Sequence, residues 1–267
     1  MRLCVHSISP CNAAASVACH IQFLEGFIMD QPSFFDLVSF GAEGWGGVLL
    51  SGAVMTVMIA VCGYLLGGVI GLLGAWAKIS GGRFTRAFAN GYTTIIRGIP
   101  DLLVIYLFYF GGSTAITAIG NWFGAGGFIS FPGFLAGACA IGITSGAQQT
   151  EVFRGAFRAV HRGELEAATA CGMSRWLMLR RIIMPLTLRH AMPGMGNVWQ
   201  VVLKESALVS VTGVVELMRQ TQIAAGSTGL PFYFYATAAA IYLAISTISG
   251  LILQNAERHY SRGVRRA

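Results

Sequence analysis

Ionisable side chains inside long apolar runs are the first candidates for chemistry in this sequence. Arg97, Asp101, Glu151, Lys204 and Glu205 interrupt stretches otherwise poor in charge, and Gln148 and Gln149 lie just ahead of Glu151. An ion in such surroundings is costly, so it must face a polar interior, a partner or a countercharge. Asp101 follows Arg97 in the string RGIPD, with Pro100 between them. Pro100 removes a backbone donor and predicts a kink. Two roles are open to Asp101: an acid along a solute path, or an ion pair with Arg97 that holds the kink, and the pairing carries more weight. Glu151 is balanced between contact with a cationic or zwitterionic solute and an ion pair with Arg154 or Arg158. Lys204 and Glu205 are adjacent, and adjacent residues on a helix point about 100° apart. At least one of them therefore faces a path or a partner rather than a local pair. Pro193, with Gly194 and Gly196, predicts a bend in the same element.

A second cluster is of another kind. The segment from Glu166 to Pro185 reads EAATACGMSRWLMLRRIIMP. Glu164 and Glu166 follow Gly163, so acids fall in a first helical turn, where the macrodipole favours them. LEAATA is a good helix former, and Gly172 supplies a turn that a Cβ would hinder. A second helix follows, with Trp176, Leu179, Ile182 and Ile183 on one face and Arg175, Arg180 and Arg181 on the other, and Pro185 is expected to end it. The result is a short helical hairpin whose small face, at Ala167 and Ala168, another protein can approach closely.

The elements that position these clusters follow from composition. The chain has 267 residues, 55% hydrophobic and only 11% charged, with mean hydropathy +0.65. Soluble domains carry about 25% charged residues, so the composition suits a bilayer. Charge-poor runs predict five membrane-spanning helices in an all-α chain, at about 47–76, 88–111, 134–156, 189–213 and 232–256, with 214–231 as a polar connection. Fourteen of the eighteen Lys and Arg fall in 78–86, 154–189 and the C-terminal end. The positive-inside rule makes those segments cytoplasmic and places the N-terminal side outside. The net charge of +7 therefore reports topology and lipid contact rather than nucleic-acid binding. Residues 1–43 form a less apolar arm outside the membrane, with Met29 as an alternative start. Residues 44–256 form the membrane domain, with the hairpin in a cytoplasmic loop at 157–189, and 257–267 form a basic tail. Trp45, Trp76, Trp122 and Trp199 read as interfacial anchors, and Tyr106 and Tyr109 as packing.

The hairpin spacing resembles the coupling-loop motif of ABC importer permeases: Glu-Ala-Ala, three residues, Gly, nine residues, Ile, one residue, Leu-Pro. Glu166, Ala167, Ala168, Gly172, Ile182 and Pro185 match it, with Met184 in place of Leu. YTTIIRGIPDL, TEVFRGAFRAV, RHAMPGMGNVWQVVLKESALVS and the ERHYSRGVRRA tail extend the resemblance to the polar amino-acid permeases, Q-type subunits of histidine/lysine/arginine/ornithine and opine importers. It covers roughly residues 44–267. Other members often carry a Tyr near Gln148, so the pocket chemistry differs here. The resemblance implies a type I importer permease fold in a bacterial inner membrane. It also implies a pseudo-twofold pairing with an M-type permease, two ATPase subunits below, and a substrate-binding protein outside. Glu216 and Arg219, on the outer side, read as solvated surface more than as a contact for that protein.

Several alternatives are excluded on residues. Neither Lys78 nor Lys204 follows a glycine, so there is no phosphate-binding GxxxxGK[ST], and ATP and Mg belong to the partner ATPase. The five histidines lie outside the spans or at their edges, and neither GxSxG nor HExxH occurs, which leaves no catalytic constellation. The six cysteines form no CxxC and imply no metal site. A self-contained secondary transporter would need internal repeats, and the chain shows none; a permease for another small polar solute stays open.

Overall fold

The computed structural model describes residues 38–41, 44–124 and 127–260, the side chains of 259 and 260 excepted. Nearly all of the 1–43 arm, the alternative start and residues 261–267 lie outside the described residues. The chain divides into a unit ending at Gly47 and one beginning at Val48, and the second carries the architecture. It is helical throughout its described residues: α1 (Gly46–Ser80), α2 (Arg83–Gly98), α3 (Asp101–Trp122), α4 (Gly133–Arg158), α5 (Arg162–Ala170), α6 (Arg175–Met178), α7 (Met184–Glu205), α8 (Leu217–Thr228) and α9 (Pro231–Tyr260).

The expected span over 88–111 is corrected. Pro100 does not kink one helix; it separates two. The proline ring disfavours the helical region for the residue before it, and Ile99 is extended at φ −101° and ψ 137°. Pro100 then serves as the N-cap of α3, which runs on to Trp122, well past the expected stop at 111. The segment 214–231 is likewise more than a connection, since it folds as α8.

By length and apolar composition, three helices suffice to cross a bilayer: α1, α3 and α9. The five expected spans therefore resolve into three of this kind and two others, α4 and α7. Of the charges within the expected spans, Glu151 lies on α4 and Lys204 and Glu205 on α7, and α4 is the more deeply buried of the two helices. Helix α4 touches α2, α3 and α7, and α7 also touches α9. Helix α4 is rich in Ala, Gly, Ser and Thr, which permits close approach where lipid provides no hydrophobic drive between helices. The seam with α1 is the tightest. A Cβ at Gly63 would come 2.6 Å from Ile141 Cγ2, and one at Gly71 2.7 Å from Gln149 Cβ.

Two further expectations change. Trp199, expected as an interfacial anchor, packs edge-on to Tyr64, with ring centroids 5.3 Å apart, beside the central apolar cluster. Glu216 is not solvated; it is fully buried. Its carboxylate caps α8, accepting from the Met218 and Arg219 amides at 2.8 and 2.7 Å. It also accepts from the hydroxyls of Thr56 on α1 and Tyr242 on α9, so one side chain ties three helices. The local sequence gives no sign of this because both hydroxyl partners are remote.

Candidate functional site

A cavity of about 420 Å³ opens where α2, the start of α3, α4 and α7 meet. Ile96, Arg97, Asp101, Thr144, Gln148, Glu151 and Asn197 are among its lining residues. The break at Pro100 is what brings Arg97 and Asp101 to one wall from two helices. Three residues expected on a solute path, Asp101, Gln148 and Glu151, thus share one cavity. Glu205 adjoins it, interacting with Asp101, Gln148 and Thr144. Lys204 does not join them: it is exposed while Glu205 is 7% exposed, the divergence expected of helical neighbours. Pro193 sits inside α7, which is helical across it.

The charges pair differently from the sequence expectation. Arg97 and Asp101 form no ion pair among the described residues; Glu205 is the group that faces Asp101. Glu151 does pair with Arg154, whose guanidinium donates to Oε2 at 2.8 Å through Nε. Its other oxygen accepts from Lys78 Nζ at 2.5 Å, and Lys78 also reaches Thr93 Oγ1 at 2.5 Å. Lys78 is only 7% exposed, and it bolts together α1, α2 and α4. Its position at the end of an apolar span hid this role, since Thr93 and Glu151 are distant in sequence.

The hairpin forms a second region. Helix α5 ends in a Schellman arrangement: the Gly172 amide donates to the Thr169 carbonyl at 3.0 Å, and the Met173 amide to the Ala168 carbonyl at 3.1 Å. Gly172 sits at φ +71°, with nothing within 4 Å of where a Cβ would stand. Its requirement is therefore backbone conformation, not space. Ser174 caps α6, accepting from the Leu177 amide. Glu166 and Ala167 are exposed on α5, and Ala168 is buried. Ala167, Ala168, Cys171, Met173 and Ile182 line a shallow apolar cleft between the two arms. Pro185 does not end the second arm. The chain passes from α6 through a π turn over Leu179–Ile183, which contains Ile182, into α7, with Pro185 in the first turn of α7. A proline is tolerated there because first-turn amides lack intrahelical acceptors, and the π turn takes up the register.

Comparison with known proteins bears on both regions. Residues 67–262 match the family model described as "binding-protein-dependent transport system inner membrane component". The octopine transport system permease protein OccQ of Rhizobium meliloti is 54% identical over 233 residues, covering 87% of this chain and 98% of that protein. The histidine/lysine/arginine/ornithine transport system permease protein HisQ of Escherichia coli is 44% identical over 224 residues, covering 84% and 98%. Among solved structures, an amino acid ABC transporter crystallised with histidines matches at a TM-score of 0.69 and 32% identity, over 80% of this chain and 95% of that one.

Proposed function

Because the chain belongs to the family of binding-protein-dependent transport system inner membrane components, we propose that its cavity is part of the solute path and its hairpin the point where an ATPase drives that path. The chain is the membrane-spanning permease subunit of an ABC importer for amino acids or opines, a transport component rather than an enzyme.

The finer reading has five crossings, α1, α3, α4, α7 with the 3₁₀ segment Ser206–Thr212, and α9. The hairpin faces the cytoplasm and the N-terminal end of α1 faces outward, as the Lys and Arg distribution supports. In a bacterial inner membrane, two such permeases, this one and an M-type relative, pair about a pseudo-twofold axis. A binding protein delivers substrate from the outer side, and ATP with Mg is consumed on the ATPase. The relatives named for octopine and for histidine, lysine, arginine and ornithine support a polar substrate with a cationic group. Glu166, Ala167, Ala168, Gly172, Ile182 and Pro185 are assigned to the ATPase contact.

One observation carries this reading. The hairpin's shape is fixed by its own backbone bonds while Glu166 and Ala167 stay exposed on it, as a rigid lever gripped by another protein requires. Reconstitution with the partner permease, the ATPase and the binding protein tests it. Glu166→Pro and Gly172→Val should each abolish ATP-driven uptake without preventing membrane insertion. Uptake that survives both substitutions removes the hairpin from the coupling path.

A further inference from the structure

The basic ends of α1 and α4 and the start of α7 enclose a groove that is separate from both the cavity and the hairpin cleft. It holds about 160 Å³. Leu72 and Trp76 of α1, Phe153 and Phe157 of α4, and Thr187 of α7 are among its walls. Trp76 is exposed at its edge, as an amphipathic ring at headgroup level would be. One polar atom interrupts the apolar lining: Thr187 Oγ1 is buried and has no hydrogen-bond partner among the described residues.

The mouth of the groove is cationic. Ser80 ends α1 at the groove's edge, and the chain turns through Gly81 and Gly82 into α2. Arg86 folds back over that turn, its Nη2 donating to the Gly81 carbonyl at 3.4 Å. Arg83 opens α2, whose first-turn amides have no side-chain cap. Both arginines are exposed, and neither is in an ion pair among the described residues. Phe84 and Phe88 beside them are almost wholly exposed, an arrangement of aromatic and basic side chains that suits a lipid–water boundary. A site apolar along its walls and cationic at its mouth, at the basic end of membrane helices, matches a phospholipid with an anionic head. A zwitterionic lipid would fill the walls equally well but would bring its own ammonium against the arginines.

We propose that this groove binds an acyl chain of an anionic phospholipid of the inner leaflet, that Arg83 and Arg86 hold its phosphate, and that the lipid braces the root of the hairpin. The hairpin's outgoing arm passes through the π turn Leu179–Ile183 into α7, and Thr187 lies in the first turn of α7. A chain lodged there ties α7 to α1 and α4 where movement of the hairpin enters the membrane domain. The binding site stands on the groove and its mouth; the bracing role rests on the hairpin being the coupling element.

The assembled importer, titrated in detergent with phosphatidylglycerol or with phosphatidylcholine of the same acyl chains and read by native mass spectrometry, tests the site. Phosphatidylglycerol should bind at least about fivefold tighter, the scale of one arginine near an anionic lipid. Arg83→Gln with Arg86→Gln should erase that preference. Ser80→Trp, which fills the mouth, should weaken both lipids. Arg258→Gln removes the same charge from α9, which forms no wall of the groove, and should change neither. Equal affinity for the two lipids overturns the proposal, as does a preference that survives the double arginine variant or is lost as fully in Arg258→Gln. So does a photo-crosslinking residue at position 76 that captures the second permease or the ATPase in place of lipid. Proteoliposomes test the bracing role. ATP-driven uptake should be faster with phosphatidylglycerol present than in phosphatidylcholine alone, and the double arginine variant should lose that advantage. An unsubstituted importer that works equally in both bilayers refutes the bracing; one that binds phosphatidylglycerol as expected yet imports in neither refutes the importer reading and leaves the lipid site standing.

Discussion

The hairpin and the cavity wall solve opposite problems. The hairpin must hold a shape while its side chains remain available, so its geometry comes from neighbours in sequence: a left-handed glycine, two backbone bonds and one serine cap within 168–177. The cavity must hold charges where water is scarce, so its geometry comes from residues on different helices, with Lys78, Thr93 and Glu151 meeting across three of them. A local device shows in a short string of letters. A long-range device cannot, because each letter alone has several innocent readings. The hairpin should accordingly fail through backbone conformation and the cavity through unbalanced charge.

The largest expected effect is at Gly172. No neighbour crowds the position, so a side chain is not excluded by volume, but φ +71° strains a β-branched residue by about 1–3 kcal/mol. Gly172→Val should lower ATP-driven uptake at least about tenfold, while Gly172→Asn, whose side chain tolerates this region, should stay within about threefold. Proteoliposome uptake with the assembled importer measures both. Equal loss in the two variants would mean that the bare backbone surface, not the turn geometry, is what the ATPase reads.

Next is the buried bolt. Lys78→Met leaves Glu151 with Arg154 alone, and losing one charge-assisted hydrogen bond costs about 2 kcal/mol. Thermal unfolding in detergent should show that loss. The double variant Lys78→Met with Glu151→Gln should cost less than the sum of the two single variants, because both lose the same Lys78–Glu151 contact. If the double variant is as unstable as the sum of the singles, Lys78 acts through packing and the contrast with the hairpin weakens.

This difference also explains what was legible. The hairpin's turn was readable because Gly172 and its helix-forming neighbours sit in one string; the fate of Pro185 was misjudged, since a π turn can absorb its missing amide. Helix α1 was readable because its apolar run ends in Lys78 and is uninterrupted. Helices α2 and α3 were merged because hydropathy ignores the conformational veto that Pro100 places on Ile99. At the cavity, Asp101, Gln148 and Glu151 do line one space, but the partner expected for Asp101 was not the one found. Spacing favoured Arg97 for Asp101, whereas the fold supplies Glu205, 104 positions away. Glu216 was misread as surface because an acid between apolar neighbours at a helix start looks the same whether solvent or a remote threonine faces it.

Glu216 extends the comparison to a carboxylate held by dipoles alone. Glu216→Ala removes the cap of α8 and leaves the Thr56 and Tyr242 hydroxyls without their acceptor, so a loss of about 1–2 kcal/mol is expected. Its pH dependence should run opposite to that of a carboxylate neutralised by cations. Burial pushes the Glu216 carboxyl above its usual range, against the pull of the Met218 and Arg219 amides and of the Thr56 and Tyr242 hydroxyls. The folded state therefore holds this proton more tightly than the unfolded chain does. Its contribution is greatest below the unfolded value, near pH 4.3, and is lost as pH rises through the elevated folded value. The difference in melting temperature between the unsubstituted chain and Glu216→Gln isolates this one group from the other titrating residues. That difference should shift in favour of the Gln variant as pH rises from about 4.5. A flat difference, or one favouring the acid at higher pH, would show that four donors hold the charge as firmly as Lys78 and Arg154 hold Glu151, and that dipoles suffice where cations are absent.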